Sequence, residues 1–185
     1  MSRSLCVFFL AILFSVTAMP ADSPGAPVSK LFDQQLAGVE SEIVPLAEAM
    51  PAEKFDFAPT HGEFKGVRTF GQQASHVAAV LYAVSASVLG EKNPTDMGAS
   101  ENGPASLKTK AEIVKYLRDA FAYAHKAMDT LTAQNLTGTV KSPFGNNQVP
   151  RASLAVLTVS HTFDHYGQMV VYARMNGIIP PASRR

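Results

Sequence analysis

From residue 29 onward, apolar side chains recur at threes and fours in four separate blocks, the spacing that gathers them on one face of a helix. In the first block Phe32, Leu36, Val39, Ile43, Leu46 and Met50 form the stripe. Ser29 is placed to cap that helix, and Pro45 is expected to bend it or to begin a second segment. The second block opens on Thr69-Phe70-Gly71-Gln72, a capping box, and runs to Leu89 before Gly90. The third opens on a second capping box, Thr109-Lys110-Ala111-Glu112, and carries Ile113, Leu117, Ala120, Ala124, Met128 and Leu131 on one face. The fourth starts near Pro150, which suits a first-turn position, and ends at Asn176-Gly177. No stretch alternates with period two for long enough to read as a strand. The segments between the blocks, 51–68, 91–108 and 133–149, are rich in Gly, Pro, Asn or Ser and read as connections. The pattern predicts an all-α protein, a four-helix bundle over residues 29–185. All the connections are long enough to cross over, so their lengths do not fix the order of the helices.

The residues before the bundle follow a different pattern. Arg3 is followed by a nearly unbroken apolar run from Leu5 to Val16, then by small residues and Pro20. This is the layout of a secretory signal peptide, and about a dozen apolar residues fall short of the ~20 that span a bilayer as a helix. Residues 1–21 are therefore expected to be a cleaved signal peptide and 22–28 a flexible linker. The protein is expected to be exported, periplasmic or extracellular, with no stable membrane span after cleavage. The single cysteine, Cys6, leaves with the leader, so the mature chain offers neither a disulfide nor a thiol nucleophile of its own.

Charge narrows the functional classes. Sixteen Lys/Arg balance fifteen Asp/Glu, which argues against a nucleic-acid partner. There is no phosphate-binding glycine loop, no dinucleotide fingerprint and no paired-cysteine motif.

The remaining chemistry lies on histidines. His161 and His165 are one turn apart on the fourth helix, on a face shared with Leu154, Leu157, Gln168 and Tyr172. On the second helix His76 shares a face with Gln72, Val80, Ala83 and Ser87. Three inward imidazoles on two facing helices can supply three nitrogens to a zinc-like ion and leave a fourth position for water or substrate. A buried histidine is also an ordinary hydrogen-bonded core residue, but few partners for these rings are visible along the stripe. The residues alone leave the two readings open. Asp164 lies about 60° off the stripe, placed either to orient a ligand imidazole or to face water. His61 falls in a connection and His125 about 120° off the third helix's stripe, so both are read as non-ligands.

Four stretches, in this order, carry a resemblance. Leu46 to Pro59 (LAEAMPAEKFDFAP) leads out of the first helix. Val67-Arg68-Thr69-Phe70-Gly71-Gln72 precedes His76-Val77-Ala78. His161-Thr162-Phe163-Asp164-His165-Tyr166-Gly167-Gln168 is an H-x-x-x-H helix. Tyr172 to Pro181 (YARMNGIIPP) closes the chain. Together, over residues 31–181, they resemble the DinB-like superfamily of metal-binding four-helix bundles, in particular its secreted bacterial members. The resemblance implies that His76, His161 and His165 are a metal triad, that the helices run up-down-down-up, and that a homodimer, frequent in the family, is a candidate assembly. It also implies a divalent cofactor, for which imidazole ligands make zinc or nickel the best candidates. Gln168, Tyr172 and Asp164 are then candidate substrate or supporting residues, and no catalytic group is assigned. Two functions follow. One is a metal-dependent transferase or hydrolase acting on a small molecule, any thiol coming from a cosubstrate. The other is a non-catalytic bundle that binds a metal or small molecule.

Overall fold

The computed structural model describes residues 26–184, so the expected signal peptide and the first part of the linker lie outside the described residues. Four long helices dominate: α1 (Val28–Ala49), α2 (Phe70–Leu89), α3 (Lys110–Asp129) and α4 (Arg151–Met175). Both capping boxes form. Thr69 and Thr109 accept from the backbone N–H groups of Gln72 and Glu112, whose side chains in turn accept from the threonine backbones. Gly90 ends α2 in the left-handed region, at φ 71°, where a side chain would be strained.

Three expectations are corrected. Pro45 does not begin a second segment: α1 runs through it to Ala49 as one helix. It removes one ladder bond, the N–H that would donate to the Ser41 carbonyl, and the helix continues for a further turn beyond it. Ser29 does not cap α1; the N-cap is Pro27, with no side-chain hydrogen bond. Pro150 stands one residue before α4 as its N-cap, because it also closes a short strand. That strand, β2 (Gln148–Pro150), pairs antiparallel with β1 (Thr139–Lys141), matching Val140 to Val149. Strands of three residues are too short for alternation to reveal.

Side-chain contacts fix the helix directions. Lys110 Nζ reaches the carbonyls of Glu48 and Met50 while His125 meets Asp33 and Glu40, so α1 and α3 run antiparallel. Gln73 meets Gln168 and Arg151 meets Val88, so α2 and α4 are also antiparallel. Gly71 lies beside Ile113, and Tyr82 stacks on Tyr116 and Tyr123, which makes α2 and α3 parallel. Phe32 and Gln35 lie along Val156 to Phe163, and Glu42 lies at Tyr166, so α1 and α4 are parallel. The bundle is therefore up-down-down-up, with α1 and α2 each packed on both α3 and α4.

The core is built from Leu36, Ile43, Phe70, Leu81, Leu117, Phe121, Met128 and Met169, all buried. At ~1.5–3 kcal/mol per large apolar side chain, this layer supplies the main favourable term in folding. Helix α2 is buried over most of its circumference, its alanines and Ser85 letting α3 and α4 approach closely. That position carries several of the polar side chains of α2 into the interior, Gln73, Ser75, His76 and Ser85 among them. Among the described residues no helix is long and apolar enough to cross a membrane.

Candidate metal centre

His76 on α2 and His161 and His165 on α4 meet inside the bundle, where their ligand atoms all lie within 4.8 Å of one another. The i,i+4 spacing puts His161 and His165 on one face of α4, and the antiparallel packing of α2 brings His76 level with both. His161 Nε2 stands 3.2 Å from His76 Nε2 and 3.1 Å from His165 Nε2. His76 and His165 are buried, and His161 is half-buried at the mouth.

The opposite ring nitrogens fix the tautomers. His76 Nδ1–H donates to the backbone carbonyl of Glu101 at 2.8 Å, and His165 Nδ1–H donates to Gln73 Oε1 at 2.5 Å. Each bond leaves an Nε2 lone pair pointing at the shared centre. Gln73 is itself held, its amide donating to Gln168 Oε1 at 2.9 Å, and Gln168 donates to Asp164 Oδ2 at 3.3 Å. A line of amides thus runs from a ligand ring to a surface carboxylate.

Burial pushes the pKa of all three rings down, His161 to about 4 and His165 to about 3; the Arg68 charge adds to the effect on each, neighbouring histidines add to it on His161 and His165, and the Glu101 carbonyl opposes it on His76. At neutral pH the rings are uncharged, the form in which imidazole ligates a metal.

The donor set fits a divalent cation. Two lone pairs fixed at one centre, with a third ring within hydrogen-bond distance of both, concentrate negative density in a desolvated space. Pinned Nδ1–H groups are the usual support of metal-ligating histidines.

The carbonyl that holds His76 comes from a constrained loop. Ser100 and Glu101 both adopt left-handed backbone, at φ 55° and 59°, sparsely populated for residues with side chains. Arg68 braces them, Nε donating to Asn102 Oδ1 and Nη2 to the Ser100 carbonyl, each at 2.7 Å. Gly98 closes the loop against Gly103 so tightly that a Cβ there would stand 1.8 Å from the Gly103 oxygen.

Of the other sequence candidates, Gln168 reaches the triad through Gln73, and Asp164 reaches it through Gln168. Tyr172 is buried, its hydroxyl donating to the Arg68 carbonyl at 3.2 Å and its ring edge-on to Phe57. His61 is exposed in its connection, and His125 lies at the α1–α3 seam between Asp33 and Glu40. Gln72 does not share the His76 site: it is exposed and closes the capping box, and Gln73 takes the inward place. Sequence reasoning missed Gln73, Arg68 and the Glu101 carbonyl. Gln73 was within reach, three residues before His76 on an overlapping face.

The fold and the site together define a four-helix bundle with a three-histidine centre between two antiparallel helices. The family model described as the DinB superfamily matches residues 35–169, and the chain belongs to that superfamily. No curated protein matches the chain. Among solved structures it is similar to a DinB-like protein from Bacillus cereus ATCC 10987, at 19% identity and TM-score 0.63 over 82% of this chain and 95% of that one. A DinB-like protein from Bacillus subtilis, YjoA, matches at 15% identity and TM-score 0.62, over 84% of this chain and 99% of that one. YfiT from Bacillus subtilis, described as a probable metal-dependent hydrolase with an unusual four-helix bundle topology, matches at 18% identity and TM-score 0.59, over 86% and 94%. At these identities the likenesses establish the fold.

Proposed function

We propose that this protein is an exported metalloprotein that holds one divalent ion, zinc or nickel, on His76, His161 and His165 and acts on a small molecule as a hydrolase or group transferase. The observation that carries the reading is the convergence of three Nε2 atoms, two of them with the opposite nitrogen committed to a fixed acceptor. The description of YfiT as a probable metal-dependent hydrolase supports the hydrolytic arm.

A divalent ion held there would supply Lewis acidity, polarising a substrate oxygen and lowering the pKa of a coordinated nucleophile. The chain's own groups do the rest. The Glu101 carbonyl and the Gln73 amide keep two rings in the ligating tautomer, and burial keeps all three uncharged. Of the three rings, His76 and His165 are buried and His161 is half-buried.

One observation favours the non-catalytic alternative. The groups bonded to the triad are a backbone carbonyl and an amide, and neither can exchange a proton as a general acid or base.

Elemental analysis after incubation with zinc or nickel tests the metal reading. The wild type should hold about one ion per chain. His161→Ala and His165→Ala should abolish that stoichiometry, His76→Ala should abolish or severely weaken it, and His125→Ala should leave it unchanged. A wild type that stays metal-free would return the three rings to ordinary core histidines.

A further inference from the structure

Across the Gln73 side chain from His165 lies a cleft of about 440 Å³ whose walls include Arg68, Gln72, Gln73, Ser100, Asn102 and Gln168. Its side chains are mostly amides and hydroxyls, and its one cation is Arg68. Arg68 is half-buried and belongs to no ion pair among the described residues. Its two hydrogen bonds to the loop use a neutral amide oxygen and a backbone carbonyl, so three of its five N–H donors remain. A partly desolvated guanidinium that meets only neutral acceptors has lost hydration without gaining a counter-charge.

We infer that this cleft recognises the carboxylate of a small ligand of the metal centre, with Arg68 gripping the carboxylate while the rest of the molecule faces the triad. The inference rests on the metal reading above and names its ligand class. Guanidinium and carboxylate match in shape and charge, and the fork of N–H donors takes both oxygens. The other polar groups are neutral, and Asp164 stands at the outer end of the amide line, so one negative charge is balanced where two would not be. Gln73 and Gln168 belong both to the cleft and to the support of His165, which ties occupancy of the cleft to the centre.

The test uses the cobalt-substituted protein and four small thiols, read by the visible spectrum. Mercaptoacetate and 3-mercaptopropionate carry a carboxylate, 2-mercaptoethanol is neutral, and cysteamine is cationic. At least one carboxylate thiol should bind about tenfold or more tightly than 2-mercaptoethanol, a ratio equivalent to 1.4 kcal/mol, with cysteamine weakest. Arg68→Gln should bring the affinity ratio of carboxylate thiol to 2-mercaptoethanol close to one, and Arg68→Lys should restore part of it. Because Arg68 also braces the 98–103 loop, a wild-type measurement stands beside the variants: acetate should compete with the carboxylate thiol, and acetamide should not. Equal affinities for charged and neutral thiols, or equal competition by acetamide, would overturn the carboxylate site and leave the metal reading intact. Failure to take up cobalt, or a loaded centre indifferent to every thiol, would overturn the open-centre reading and this inference with it.

Discussion

Replacing Gln73 by leucine keeps the approximate size of the side chain and deletes both of its polar bonds. The Nδ1–H of His165 loses its acceptor inside the bundle, and Gln168 loses the donor that holds its amide. Gln73 is 2% exposed and His165 7%, so water cannot readily take over either role. A buried donor left without a partner costs about 1–3 kcal/mol of stability. The effect on the centre should be larger in kind, because the ring is then free to place its proton on either nitrogen and to turn. Loss of an outer hydrogen-bond partner typically costs about 10–100-fold in metal affinity, or about 1.4–2.7 kcal/mol. Zinc affinity by chelator competition and urea unfolding of the metal-free protein measure the two effects separately. Both should fall in Gln73→Leu, and Gln73→Glu, which keeps an acceptor for His165, should recover most of the zinc affinity. A leucine variant that binds zinc like the wild type would refute the claim that Gln73 sets the ligating tautomer.

The metal-free protein should have a two-sided pH profile, measured by urea midpoints in the presence of chelator. The triad's pKa values lie below the unfolded histidine value of ~6.5, so as pH falls from ~6.5 toward 4 the unfolded chain takes up protons that the folded one refuses, and stability drops. His125 acts oppositely: burial lowers its pKa, but the hydrogen bonds and charges of Asp33 and Glu40 outweigh that and raise it. Its contribution is full below pH ~6.5 and lost as pH rises through the folded pKa, so His125→Gln should flatten the alkaline limb alone. A midpoint that holds steady between pH 7 and 5 would contradict the desolvated triad. Ser85→Ala should stabilise the protein by about 1 kcal/mol, because Ser85 Oγ is buried with no hydrogen-bond partner among the described residues; a lowered melting temperature would show that the hydroxyl is satisfied after all.

What the sequence disclosed follows the range of the interactions. The capping boxes at Thr69 and Thr109 are local and complete within four residues, so α2 and α3 were legible to their first residue. The triad was legible as residue types at helical spacing, and resemblance to a family of bundles tipped the choice between ligand and core histidine. The supports of the triad were not legible. The Glu101 carbonyl is a backbone atom in a loop and carries no residue-type signal, and the bracing by Arg68 depends on a turn of two left-handed residues. Gln73 was obscured because its neighbour Gln72, four residues before His76, fitted the same helical face equally well. The β1–β2 hairpin and the uninterrupted course of α1 through Pro45 were set by context that a period count does not contain.

The helix order has a consequence for how the chain is made. His76 and His161 are 85 residues apart in sequence, and the two histidines of the triad other than His76 both lie on the last long helix. During synthesis the first three helices emerge with only one imidazole of the triad and a braced loop, too few donors at that place to retain an ion. The centre closes only when α4 inserts between α1 and α2, the final long-range step in assembling the bundle. Retention of an ion would therefore report that the C-terminal helix has docked, and an ion bridging α2 and α4 would act as a late-set rivet against its detachment.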